Sequence, residues 1–202
     1  MNSKEHLPTA PNRRIAAIAV FCGSNYGEGE GFRESAAALG RALAARGIDL
    51  VYGGTHKGLM GVLADAALLA GGKVHGVITR RLFERGHLHE RLSVHQIVDG
   101  MRARKEEMLS LADACIALPG GLGTVEEFME AWTLNQLGDI DKPVGLLNTS
   151  GYYDPFMAFV DSMIANRFLP AAHRHGVVID ADPNRVIDGL AAFQKITVSK
   201  WM

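Results

Sequence analysis

The chain has 202 residues, 48% hydrophobic and 21% charged, and 21 basic against 22 acidic side chains give a formal net charge of −1. Such a length buries a sizeable core, and balanced charge without basic clusters argues against nucleic acid as the main partner, leaving room for a small anionic ligand in a local positive pocket. No run approaches the roughly 18 apolar residues of a membrane span, and the opening MNSKEHLPTAPNRR lacks a signal-peptide core, so the expectation is a cytoplasmic protein, away from membranes, with a disordered polar arm over residues 1–14.

In chain order, the first strand is expected over Ile15–Cys22 and ends in the turn CGSN, which carries Ser24. In GFRESAAALGRALAARG, Phe32, Ala36, Leu39 and Leu43 recur at helical spacing and Gly47 supplies the C-terminal cap. A second strand, Ile48–Tyr52, runs through YGGTHKGLMG, with Gly53 and Gly54, into a helix over Gly58–Ala70. After a strand at Lys73–Ile78, residues Thr79–Leu92 show no clear period and read as a loop over the cleft. Strand Ser93–Val98, helix Met101–Ala112, strand Ala114–Leu118, helix Thr124–Leu137, strand Pro143–Leu147, helix Tyr152–Asn166, strand Gly176–Ile179 and helix Asn184–Phe193 complete the series.

Most of these strands are apolar nearly throughout, as strands covered on both faces must be, and their alternation with helices is the sequence form of βαβ units. The expected fold is α/β: a single three-layer, Rossmann-like, doubly wound domain over residues 15–202, its mainly parallel sheet flanked by helices on both faces. Cys22 and Cys115 lie inside apolar strand runs and read as buried thiols. His87 and His89 are two apart, but without nearby cysteines or a carboxylate pattern they make no metal site.

Ligands of such sheets bind beyond the carboxyl ends of the strands, near the point where strand order reverses. Three glycine-bearing turns fall there: CGSN, YGGTHKGLMG and PGGLGT. Gly120, Gly121 and Gly123 before a helix suit an anion seat, since glycine lets backbone N–H groups approach a phosphate at a helix N-terminus, although a tight turn can use glycine for packing alone. The spacing is neither Walker A nor G-x-G-x-x-G, which disfavours an NTPase or an NAD enzyme and leaves a mononucleotide or sugar phosphate. Ser24, Gly53, Gly54 and Thr124 join this seat as expected contacts; Asn25, His56 and Lys57 lie at its rim.

With Thr124 as N-cap, Glu127 falls at the position of a capping box, whose carboxylate returns to the helix start. Glu126 then shares a different face with Glu130 and Thr133, opposite Val125, Phe128 and Trp132, and leans back toward the turn as the ligand-facing carboxylate; a solvated surface glutamate is the alternative. In MRARKEEMLSLADA, Arg104 and Lys105 fall in the sector of Met101, Met108, Leu111 and Ala112. Two cations on that face either snorkel to solvent or meet something anionic, with Arg104 offering a planar fork and Lys105 a point charge.

PGGLGTVEE followed by NQLGDIDKPVGLLNTSGYYDPF, the upstream MRARKEEM, and the early FCGSN and DLVYGG…GLMG together resemble the LONELY GUY family, the cytokinin riboside 5′-monophosphate phosphoribohydrolases, from about Ile15 to Leu169. The resemblance implies hydrolysis of the N-glycosidic bond of a nucleoside 5′-monophosphate to free base and ribose 5-phosphate. It matches Arg104 and Lys105 to the family's Arg-Lys pair, and Gly120 to Glu126 to its glycine loop and first glutamate. Taken with the glycine turns and the helix face of Glu126, this makes Glu126 and Arg104 the expected catalytic residues, and Lys105, Gly120, Gly121, Gly123, Thr124, Gly53, Gly54, Ser24 and Thr133 the expected substrate contacts.

The same resemblance implies homodimers or larger homo-oligomers with sites near the interface, and no metal or organic cofactor. An old "lysine decarboxylase" label attaches to many relatives, but this chain is short for such a pyridoxal phosphate enzyme. Relatives read Met-His-x-Arg-Lys where this chain has Arg102, and they offer a glutamate where alignment puts Gly86. A general purine or pyrimidine nucleotide nucleosidase, or a non-catalytic nucleotide or cofactor carrier, are the rival readings.

Overall fold

The computed structural model describes residues 13–196 and 198. Seven parallel strands form one sheet: β1 (Ala17–Phe21), β2 (Asp49–Tyr52), β3 (Val74–Thr79), β4 (Val94–Val98), β5 (Ala114–Ala117), β6 (Val144–Leu147) and β7 (Val177–Asp180). Their spatial order is β4-β3-β2-β1-β5-β6-β7, so the winding reverses between β1 and β5. Register is set there by Ile18 opposite Ala114 and Phe21 opposite Ala117. The loops leaving those two strands therefore diverge and open a crevice between them.

The helices are α1 (Glu30–Ala45), α2 (Gly58–Leu69), α3 (Arg80–Glu84), α4 (Met101–Leu111), α5 (Leu122–Leu137), α6 (Asp154–Ala165) and α7 (Pro183–Ala192). Because successive strand side chains point to opposite faces, Ile18 and Val20 pack with Leu39 and Leu43 of α1, Leu63 of α2 and Leu190 of α7. Ala19 and Phe21 enter the other layer with Met108 of α4, Phe128 and Trp132 of α5, and Val160 of α6. Each face thus has its own core, which is the three-layer architecture expected from near-continuous apolar strands. Both thiols are free and buried, and burial pushes Cys115 up to about 12.

Residues 1–12 of the expected polar arm lie outside the described residues. Arg13, near its end, is tied down: its N–H donates to Ala191 O at 2.8 Å, and its guanidinium pairs with Asp141 at 2.7 Å. The segment expected as an irregular loop contains α3, a helix too short to show a period. It then runs back along the turn after β2, with a bridge between Thr55 and Leu88 and His89 N–H donating to Gly54 O at 2.9 Å. It thus fastens the β2–α2 turn, and buried His89 adds a 3.1 Å contact to Asp65 of α2.

The C-terminal end of α4 is closed by Lys142, whose ammonium donates to the carbonyls of Leu109 and Ala112. A cation at a helix C-terminus satisfies carbonyls that have no intrahelical partner and opposes the negative end of the dipole. This anchors the helix that carries Arg104 and Lys105.

Candidate active site

Helix α5 begins at Leu122, with Gly121 at its N-cap and no side-chain capping bond. This corrects the capping-box reading: Thr124 is the third helical residue and Glu127 the sixth, so Glu127 cannot reach back to an N-cap at Thr124. Ser/Thr/Asp/Asn preferences point to Thr124 as a cap, but a glycine turn packed tightly against another loop needs no side-chain cap. Leu122, Gly123 and Thr124 occupy the first turn, where backbone N–H groups lack intrahelical acceptors and the helix dipole favours negative charge.

The three glycines divide the work. A Cβ on Gly120 would collide with the Thr124 side chain and come within 2.8 Å of Gly23 N, so Gly120 is needed for close packing of the two loops that flank the crevice. Cβ atoms on Gly121 and Gly123 would meet nothing within 4 Å, so these positions leave open space in front of the helix start. Gly23 N–H donates to Pro119 O at 3.2 Å, which ties the loops together, and Leu59 N–H of α2 donates to Gly23 O at 3.0 Å. Tyr152 and Tyr153 fix the turn from behind, their hydroxyls donating to Gly120 O at 2.5 Å and Leu118 O at 2.6 Å.

In front of this turn lies a cavity of about 310 Å³ lined by Cys22, Ser24, Met60, Met101, Arg104, Gly121 to Thr124, Glu126 and Glu127. Arg104 rises from α4 at its floor, its side chain 6% exposed against 8% for Glu127. Arg104 Nη1 is 3.1 Å from Glu127 Oε1, and Nε donates to Val77 O at 3.0 Å, so the guanidinium is aimed from two sides. Gly53 is required beneath it, because any Cβ there would collide with the guanidinium. Burial pushes the Glu127 carboxyl above the ordinary glutamate range, Glu126 and Glu130 adding to the rise while Arg104 and Lys105 oppose it.

One residue along each helix, Lys105 contacts Glu126 and reaches Glu130 at 3.1 Å. Here the lysine side chain is 13% exposed and that of Glu126 58%. Burial works against charge on Lys105, but its hydrogen bonds to the two glutamates outweigh this and raise its pKa. The ammonium is thus held between two carboxylates. The Cys22 thiol is also pushed up, by burial and then by Glu127, away from the thiolate a nucleophile needs.

The structure therefore brings together Ser24, Gly53, Arg104, Lys105, Gly120, Gly121, Gly123, Thr124 and Glu126 from the expected set, and adds Glu127, Met60, Met101, Leu122 and Cys22. Thr133 is not among them: it lines a separate groove with Trp132, Val160, Met163 and Phe168. Gly54 turns away, with φ +74° and its Cβ direction against Ile78, and serves the turn through its carbonyl. Asn25 lines a neighbouring cavity of about 250 Å³ with Tyr26, Phe32 and Tyr152, and His56 lines another beside His89. Arg102, which stands where relatives carry histidine, points outward to Glu106 at 2.9 Å.

A seven-stranded parallel sheet with helices on both faces, whose switch point holds a helix N-terminus, a buried Arg–Glu pair and a second cation, is of the Rossmann-like α/β class. A family model described as "possible lysine decarboxylase" matches residues 60–190. The cytokinin riboside 5′-monophosphate phosphoribohydrolase LOG of Oryza sativa subsp. japonica is 45% identical over 172 residues, 85% of this chain and 71% of that protein. LOG1 of Arabidopsis thaliana, of the same description, is 45% identical over 165 residues, 82% and 78% of the two chains. The chain belongs to this LONELY GUY family. Among solved structures it resembles a molybdenum cofactor binding protein from Rippkaea orientalis, with 24% identity, 87% and 94% coverage and a TM-score of 0.65. It likewise resembles the molybdenum cofactor carrier protein of Chlamydomonas reinhardtii, with 23% identity, 86% and 94% coverage and a TM-score of 0.64; both are likenesses of fold.

Proposed function

We propose that the protein hydrolyses the N-glycosidic bond of cytokinin riboside 5′-monophosphates, releasing the free base and ribose 5-phosphate. The observation that carries this reading is the buried Arg104–Glu127 pair at the floor of a cavity whose wall is the N-terminus of α5, in a chain of this family. The 5′-phosphate rests on the first-turn N–H groups of α5, beside Ser24 and Thr124, and its fixed position holds the sugar over the floor. As the bond from C1′ to the base nitrogen breaks, its electron pair leaves with the base and positive charge develops on the ribose. A water oxygen then bonds C1′ and passes its proton to the Glu127 carboxylate, and the departing base nitrogen takes up a proton from solvent to leave as the neutral free base.

Glu127 is the carboxylate suited to that step. A desolvated carboxylate acts on the developing charge with little screening, and a pKa above the ordinary range brings it nearer to that of a useful base. Arg104 stays charged and acts by orienting Glu127, not by donating a proton. Glu126, which the sequence reading made the catalytic carboxylate, lies on the rim with Lys105, where the pair meets ribose hydroxyls or phosphate. The test is a panel of AMP, GMP, CMP and isopentenyladenosine monophosphate, with free base and ribose 5-phosphate both measured. Tight AMP binding with no ribose 5-phosphate over hours would overturn the hydrolase reading.

We also propose a cytoplasmic homo-oligomer, dimer or larger. No helix among the described residues is long and apolar enough to cross a membrane. An apolar groove of about 180 Å³ between α5 and α6 is lined by Trp132, Val160, Met163 and exposed Phe168, which suits a second copy of the chain. Light scattering is expected to give a multiple of the 21.8 kDa chain.

A further inference from the structure

After β6 the chain turns through NTSGYYD, and this turn is strained. Ser150 has φ +54° and Gly151 φ +72°, two successive residues in the left-handed region, and a Cβ on Gly151 would meet Asp154 Oδ2 at 2.6 Å. Positive φ outside glycine is uncommon and persists only where the surrounding structure holds it. Asn148 does the holding: its Oδ1 accepts from Tyr153 N–H at 2.7 Å and its Nδ2 donates to Asp154 at 2.7 Å. Thr149 Oγ1 adds a 2.6 Å bond to Ser35 of α1. Two adjacent tyrosines thereby aim their hydroxyls at one loop, Tyr152 at Gly120 O and Tyr153 at Leu118 O.

The two bonds differ in what they are for. Tyr153 is 2% exposed, so its hydroxyl satisfies a carbonyl that water does not reach. Tyr152 is 42% exposed, and water would serve the Gly120 carbonyl equally well if stability were all that mattered. Its ring is nonetheless held, edge-on to Phe32 of α1 at 5.8 Å and to Tyr153 at 5.1 Å. The peptide joining Gly120 to Gly121 is trans, so a carbonyl turned toward Tyr152 turns the Gly121 N–H the opposite way. Gly120 and Tyr152 line the neighbouring cavity of about 250 Å³, whereas Gly121 also lines the one above Arg104. Resting on the reading that the 5′-phosphate sits at the start of α5, we propose that Tyr152 is a positioning residue for that seat, fixing the Gly121 N–H toward the phosphate through the Gly120 carbonyl. A hydrogen bond accepted at the carbonyl also polarises the peptide, so the N–H donates more strongly. Tyr153 holds the entry to the same turn, and neither tyrosine touches the bond that breaks.

The experiment measures the dissociation constant of ribose 5-phosphate by calorimetry, with KM and kcat for isopentenyladenosine monophosphate, in the wild type, Tyr152→Phe and Tyr153→Phe. Tyr152→Phe keeps the ring and loses only the hydroxyl. It is expected to raise the dissociation constant and KM together by about threefold to tenfold, the range of one neutral hydrogen bond, with kcat changed by less than about twofold and the melting temperature unchanged. Tyr153→Phe is expected to raise the same constants and also to lower the melting temperature, because the Leu118 carbonyl loses a buried donor. A ribose 5-phosphate constant within about twofold of wild type in Tyr152→Phe would overturn the proposal. A fall in kcat with binding unchanged would overturn it by putting the hydroxyl in the chemistry, and a lower melting temperature with binding unchanged by making it a prop for the fold. No binding of ribose 5-phosphate by the wild type would overturn it together with the placement of the phosphate. If ribose 5-phosphate binds but no nucleotide is hydrolysed, the phosphoribohydrolase reading has failed by itself, and the dissociation constants still decide the role of Tyr152.

Discussion

Two ion pairs join α4 to α5 one residue apart, and they differ in depth more than in chemistry. Arg104 with Glu127 has both side chains under a tenth exposed, whereas Lys105 with Glu126 places its carboxylate more than half in solvent. The inner pair has a fixed fork: one guanidinium nitrogen faces the carboxylate, another donates to the Val77 carbonyl, and Gly53 leaves room beneath. The outer pair is a point charge shared between two glutamates. A buried, oriented charge acts strongly on whatever enters the cavity, while a solvated one acts weakly and can be replaced by water. The contrast teaches that adjacent Glu-Glu and Arg-Lys pairs in sequence become a buried floor and an exposed rim in space.

The largest expected effect breaks the comparison directly. Glu127→Gln is expected to lower kcat on AMP or the isopentenyl nucleotide by about 100- to 1,000-fold, because it removes a carboxylate charge that acts on the transition state. Glu126→Gln is expected to lower it by less than about tenfold. The reverse order, with Glu126→Gln crippled and Glu127→Gln active, would return catalysis to the rim and leave the buried pair a structural element. Circular dichroism on both variants keeps loss of activity apart from loss of fold.

Next comes stability, where the inner pair carries a pH signature. Arg104→Met removes the main group holding down the Glu127 pKa, so burial and Glu126 push that carboxyl further up. A folded state that binds a proton more tightly than the unfolded chain is stabilised below the unfolded pKa and loses that contribution as pH rises through the folded value. The deficit of Arg104→Met is therefore expected to be smallest near pH 4 and to reach about 3–5 kcal/mol at pH 7 to 8, the cost of an uncompensated buried charge. Urea unfolding at pH 4.5, 6 and 8 measures this. A deficit that grows toward acid would mean that Glu127 is not buried as a charge.

Much of this was legible in the chain itself. The seven strands fall where apolar β-branched runs end in turns, displaced by a residue or two because hydrogen-bond register, not hydropathy, sets the last paired residue. Arg104 was legible as a cation on a buried face, since its helix offers Met108 and Ala112 on the same side. The start of α5 was not, because the usual cap preference names Thr124 where packing of Gly120 on Gly23 sets Gly121. That three-residue displacement of the cap hid Glu127. Its sequence signal was available, for Thr124, Glu127 and Ala131 follow the three- and four-residue spacing of a buried stripe, and all three are buried. Thr133 failed for a different reason: eleven residues along a helix from Leu122 carry it about 16 Å from the turn, so sharing a face with Glu126 does not bring it to the ligand.

The smallest expected effect sharpens the outer half of the comparison. In a double-mutant cycle, Lys105→Met with Glu126→Gln is expected to give a coupling energy of about 0.2–1 kcal/mol at low salt, falling toward zero near 0.5 M salt. The low end is favoured because Glu130 remains as a second acceptor at 3.1 Å, so removing Glu126 does not strand the ammonium. The parallel cycle on Arg104 and Glu127 is expected to change little with salt, since ions cannot reach between buried partners. A Lys105–Glu126 coupling above about 2 kcal/mol that persists in salt would mean that the rim is also shut off from water in solution. A second copy of the chain lying over the mouth of the cavity would do that, and it would turn the distinction between floor and rim into a property of the single chain.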